Sequence, residues 1–137
     1  MRTLRLLLAT AMTTIALAAV AAAPASAAPS WTLVDYHQTA CFSPHVTSSW
    51  YGIWISGRWR HSIDVGARRL PEGGGFSASY APIPPGSSTG EYSLAYVRVD
   101  IPATTPVGSY TAMLWASDGT RTQRVPVTLN VTTRCGY

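Results

Sequence analysis

The densest run of chemically capable side chains is SSWYGIWISGRWRHS, Ser48 to Ser62. It carries Trp50, Tyr51, Trp54 and Trp59 beside Arg58, Arg60 and His61. Flat indole rings stack on sugar rings. Trp, Tyr and Arg also dominate the hot spots of protein interfaces. On a strand, Trp50, Gly52, Trp54 and Ser56 share one face, and Tyr51, Ile53 and Ile55 the other. If the isoleucine face packs inward, Trp50 and Trp54 stand outside, roughly 13 Å apart, with room over Gly52 for a sugar. The competing assignment is structural, because a large aromatic on a strand is more often core than platform. GRWRHS follows Gly57 and is flanked by charge. It reads as a strand end or loop that displays Trp59, Arg58, Arg60 and His61.

Other chemistry finds little support. The six acidic residues are scattered, and no two lie close on one strand face, as a two-carboxylate glycosidase needs. GFSAS (Gly75 to Ser79) begins like a nucleophile elbow but lacks the closing glycine and the strand-turn-helix context. His37, Cys41 and His45 sit four apart, a helical ligand spacing, but in a strand-like region containing Pro44, so no metal site is expected. No phosphate-cradling loop or dinucleotide fingerprint occurs, and no cofactor is expected. These absences point to a protein that is not an enzyme.

The elements that must position these residues start after an address segment. Residues 1–27, MRTLRLLLATAMTTIALAAVAAAPASA, have the three parts of a secretory signal peptide in order: Arg2 and Arg5, an apolar run, and Ala25-Ser26-Ala27. Residues 28–137 are then one exported domain of about 110 residues, with no membrane partner once the signal is cleaved. Removing Arg2 and Arg5 takes the formal charge from +4 to +2. The remaining arginines alternate with acids and do not cluster strongly, so the dense basic face of a nucleic-acid binder is not expected. Cys41 and Cys135 are an even pair in an oxidising compartment and are expected to form a disulfide.

The mature chain reads as short strands punctuated by Gly and Pro: residues 31–36, 40–47, 50–56, 61–65, 75–81 and 91–101, then SYTAMLWAS and TQRVPVTLNV. This is an all-β pattern, with no window of helical period. Pro82 to Gly90 reads as a loop, and Asp118-Gly119 as a hairpin turn. Pro126 places its strand at an edge or a bulge.

LP-x-G (Leu70 to Gly73), IPPGS (Ile83 to Ser87), TPVGSYTAMLWASDGT and VPVTLNV together resemble the bacterial immunoglobulin-like domains appended to secreted enzymes. The whole chain is similar to small single-domain proteins exported by actinobacteria. The resemblance implies an immunoglobulin-like antiparallel β-sandwich of about seven to eight strands. It implies a tyrosine corner at Tyr110, and a core tryptophan on the third strand, at Trp50 or Trp54. Ala112 stands where a true immunoglobulin domain has its second cysteine. The Cys41–Cys135 bridge would therefore tie an early strand to the C-terminus. GRWRHS also resembles the W-R-Y tip of small secreted amylase inhibitors, with His61 in third place and without their two-bridge cysteine pattern.

These readings converge on a secreted, non-catalytic binding protein whose partner is a polysaccharide or cell wall. A protein-binding module or inhibitor of an extracellular enzyme is the second reading, and a structural envelope protein the third.

Overall fold

The computed structural model describes residues 30–88 and 93–136. The signal peptide expected over 1–27 lies outside the described residues, as do Glu91 and Tyr92 of the sixth expected strand. Nine strands are described: β1 (Trp31–Leu33), β2 (Thr39–Phe42), β3 (Ser48–Trp59), β4 (Asp64–Arg68), β5 (Gly75–Ser79), β6 (Gly86–Ser88), β7 (Ser93–Asp100), β8 (Gly108–Ser117) and β9 (Thr122–Val131). One sheet runs β1-β3-β7-β5, with β6 also on β3; the other runs β2-β9-β8-β4. With the short β2 and β6 set aside, the seven remaining strands have the immunoglobulin order, A-B-E-D facing G-F-C. The domain is an all-β immunoglobulin-like sandwich. Its pairing is antiparallel except at one edge, where β2 runs parallel to β9.

Strict alternation explains why two sheets form. Tyr51, Ile53 and Ile55 of β3 and Ala95, Val97 and Val99 of β7 are buried, and so are Ala112, Leu114 and Ala116 of β8. Val125, Val127, Leu129 and Val131 of β9 complete the inner face of the second sheet. A period of two puts each set on one side of its strand, and two such faces close on each other. Full burial of each leucine or isoleucine contributes about 1.5–3 kcal/mol. Tyr51 joins the sheets by donating its hydroxyl to the Thr128 carbonyl at 3.1 Å, and burial pushes its phenol above the ordinary value.

Several expected features are present. Cys41 and Cys135 are bridged, across a sequence separation of 94, which is consistent with an extracellular location. Tyr110 donates to the Pro106 carbonyl at 2.8 Å, the bond of a tyrosine corner, and Ala112 is fully buried two residues on. Pro126 does not mark an edge strand or a bulge: β9 lies between β2 and β8 and Pro126 sits in register opposite Met113, while β2 begins to pair with β9 only at Thr128. On the β2 side, then, Pro126 has no ladder to break.

Other expectations need correction. The core tryptophans are Trp31 and Trp59, at 1% and 5% exposure, and not Trp50 or Trp54. The third strand does not end near Ser56 but continues to Trp59. Gly57, at φ 102°, lets it pass close under the Ser30 carbonyl, which accepts the Arg58 N–H at 2.7 Å. The fourth strand starts at Asp64 rather than His61. The loop expected from Pro82 contains β6, which pairs with Gly57 to Trp59.

Candidate functional site

The outer face of the β1-β3-β7-β5 sheet is where the sequence candidates belong. Trp50 lies there on β3, 53% exposed, directly opposite Arg98 of β7. Tyr96 of β7 is opposite Gly52 on one side and Ser79 of β5 on the other. Tyr80 follows β5 and is 78% exposed. Trp50, Ser79, Tyr80 and Tyr96 line one open hollow of about 300 Å³. The rings of Tyr80 and Tyr96 meet edge to face, with centroids 6.2 Å apart.

Two features make this an assembled patch rather than scattered aromatics. Tyr80 holds a left-handed backbone, φ 58°, which a bulky residue rarely adopts and which costs on the order of 1 kcal/mol or more. The turn it makes brings the Tyr80 ring, 78% exposed, beside Tyr96 on the sheet. Polar groups flank the rings: Arg98 pairs with Asp100 through Nη2 to Oδ1 at 2.9 Å and Nε to Oδ1 at 3.0 Å. Ser77 stands opposite Arg98.

The structure separates the remaining candidates. Trp54 shares the outer face but is only half-exposed. Its six-membered ring lies over Gly52, occupying the space expected to admit a sugar, and Tyr36 meets it edge to face at 4.7 Å. Trp54 and Tyr36 thus cover one another. Trp59 is not displayed at a tip; it is buried and donates Nε1–H to the Pro84 carbonyl at 2.7 Å. Arg58, Arg60 and His61 are exposed, but on β3 Arg58 lies roughly 26 Å from Trp50. Those three make no common site with it. Cys41 is held in its bridge and is not free to bind a metal.

Tyr80 and Tyr96 were missed in the sequence. The available signal was the alternation of SLAYVRVD, which sets Tyr96 on the face opposite the buried Ala95 and Val97; Tyr80, past the end of β5, carried none. Only the β5–β7 register brings them to Trp50.

Another polar cluster sits at the end of the sandwich. The Asp118 carboxylate accepts the Trp31 indole N–H at 2.8 Å, and the Arg121 N–H, the Thr120 N–H and the Thr120 hydroxyl at 2.8–3.0 Å. Desolvation alone would raise its pKa. The four donors outweigh that and hold the carboxyl well below the usual carboxylate range. The cluster is structural: it pins β1 to the β8–β9 turn, where Gly119 has φ 87°.

Residues 32–133 match the model of a family of unknown function, DUF5980. Comparison with curated proteins finds no match. Among solved structures the chain is similar to a chimeric titin Z1Z2 functionalized with an exogenous KLER peptide from decorin. Identity is 18% and the TM-score 0.45, over 76% of this chain and 48% of that one. This chain spans about half the length of that solved chain.

Proposed function

The chain belongs to the family of unknown function DUF5980, which carries no activity with it, and we propose that it is a secreted, non-catalytic module that binds polysaccharide or cell-wall glycan through the Trp50–Tyr80–Tyr96 face. The observation that carries this reading is the single hollow those three rings line with Ser79. Its volume is that of a small ligand site, and it is apolar with a few polar groups at the margin. The C–H face of a pyranose packs on such rings, while Arg98, Asp100 and the β5 serines are placed for its hydroxyls. An open, shallow site suits a polymer, which leaves the surface at both ends. Export from a bacterial cell of the actinobacterial kind is part of the proposal. Its supports are the segment 1–27, the resemblance of residues 62–131, and the disulfide.

This reading relocates the aromatic platform. Trp50 remains in it; Trp54 and Trp59, held by Gly52 and Pro84, are replaced by Tyr80 and Tyr96. The protein-inhibitor reading needs Trp59 at a protruding tip, and its burial removes that support.

The test is co-sedimentation of the mature domain with insoluble chitin, cellulose, starch and peptidoglycan, beside Trp50→Ala, Tyr80→Ala and the triple variant Arg58→Ala, Arg60→Ala, His61→Ala. Retention by one polymer, lost in the first two variants and kept in the triple one, is expected. No retention by any polymer, or loss only in the triple variant, rejects the assignment.

A further inference from the structure

The opposite face of the sandwich has a different chemistry. On the outer side of the β2-β9-β8-β4 sheet, Arg68 of β4 stands opposite Met113 of β8, and Arg124 of β9 stands opposite Trp115. The Arg68 guanidinium lies over the Trp115 ring, 5.7 Å from its centroid, a cation–π contact that orients it. Arg69 is the next residue, and in a regular strand its side chain would point to the other face. It instead has φ 58°, and the turn brings it to the same side. Arg68, Arg69, Met113 and Arg124 line one hollow of about 300 Å³. Arginines that alternate with acids along the chain are thus gathered by the fold.

Among the described residues, Arg98 is the one arginine in an ion pair, and it lies on the other sheet. No carboxylate lines the Arg68–Arg69–Arg124 hollow. Asp64, the acid on β4, lies opposite Ser117, roughly 13 Å along the strand from Arg68. Three arginines line the hollow with no carboxylate among the lining residues. Arginine does not lose its proton to relieve such repulsion. Arg69 holds its left-handed backbone at the same place.

We propose that this hollow is an anion site that takes a phosphoryl group. Planar guanidiniums present paired N–H donors that match the oxygens of phosphate bidentately. Three positive charges call for a ligand with more than one negative charge, which separates phosphate and diphosphate from a single carboxylate. The site lies on the other sheet from the aromatic face and stands or falls independently of it.

The experiment is titration of the folded domain at low ionic strength with inorganic pyrophosphate, glucose 6-phosphate and acetate, followed by calorimetry and by NMR of backbone and Arg Nε–H signals. Pyrophosphate is expected to bind at least about tenfold more tightly than acetate, with shifts centred on Arg68, Arg69 and Arg124. R69Q and R124Q are each expected to weaken it by about fivefold or more. The exposed, unpaired arginines outside the hollow serve as controls, and R58Q and R60Q should bind as the parent does. Tight binding of glucose 6-phosphate as well would assign an ester-bound phosphoryl group; binding of pyrophosphate alone would assign the free anion. Pyrophosphate binding no tighter than acetate, or equal weakening by R58Q and R60Q, would overturn the site.

Discussion

Gly52→Ala isolates the contact that removes Trp54 from the surface. A Cβ at this position would overlap three Trp54 ring carbons, well inside van der Waals contact, so the ring must leave. The strand cannot retreat instead: the Gln38 side chain donates to the Gly52 carbonyl and accepts its N–H, both at 2.8 Å. A tryptophan buries about 150–250 Å². Lifting its six-membered ring uncovers roughly 60–80 Å², or about 1.5–2 kcal/mol at ~25 cal/mol per Å². Losing the edge contact with Tyr36 adds about 0.5–1.5 kcal/mol. Alanine's smaller unfolded-state entropy returns about 0.5–1 kcal/mol. The net expectation is destabilisation by about 1–3 kcal/mol, read from urea denaturation followed by circular dichroism. The sign should reverse in a Trp54→Ala background. There the methyl meets no ring, and only the favourable replacement of glycine remains. Equal costs in the two backgrounds would refute the packing argument, because a double-mutant cycle reports the coupling between the two side chains.

Replacing Cys41 and Cys135 together with serine should cost about 4–5 kcal/mol by loop-closure entropy for a separation of 94. Against a net stability of about 5–15 kcal/mol, that should lower the urea midpoint steeply; a loss under about 1 kcal/mol would contradict it. Asp118 sets a pH dependence. Its folded-state pKa is depressed, so its contribution is fully present above the unfolded value near ~4 and is lost as pH falls below it. The melting-temperature advantage of the parent over Asp118→Asn should therefore be largest near neutrality and shrink below about pH 4. An advantage that grew on acidification would refute the assignment of the four donors to the carboxylate.

Local chemistry was legible wherever one strand carried it. Gly108-Ser109-Tyr110 with Pro106 announced the corner, Asp118-Gly119 the hairpin, and the alternation of β7, β8 and β9 the sandwich. Cys41 and Cys135 had no other partner to choose. Apart from that bridge, what escaped was fixed by distant segments. The edge pairing of β2 runs parallel to β9, which lies about ninety residues away. β6 is three residues long, too short for periodicity to mark. The hollow on the aromatic face draws on β3, β5 and β7, and the cationic hollow on β4, β8 and β9. No reading along the chain sets residues from three strands side by side.

The tryptophans of β3 show what this means for function. Composition makes Trp50, Trp54 and Trp59 equivalent, and alternation puts two of them on one face. Their different fates follow from two glycines. Gly52 has no Cβ, so the Trp54 ring lies down on the strand and is spent on packing. Gly57 takes φ 102°, so β3 passes the Ser30 carbonyl without stopping and carries Trp59 in beneath Pro84. Trp50 has neither escape. Tyr51 beside it fills the core, and Arg98 opposite it is already held by Asp100. Its ring stays in solvent next to two tyrosines brought there by other strands. Three exposed rings side by side leave an apolar patch in water. A ligand that covers Trp50, Tyr80 and Tyr96 together would remove it.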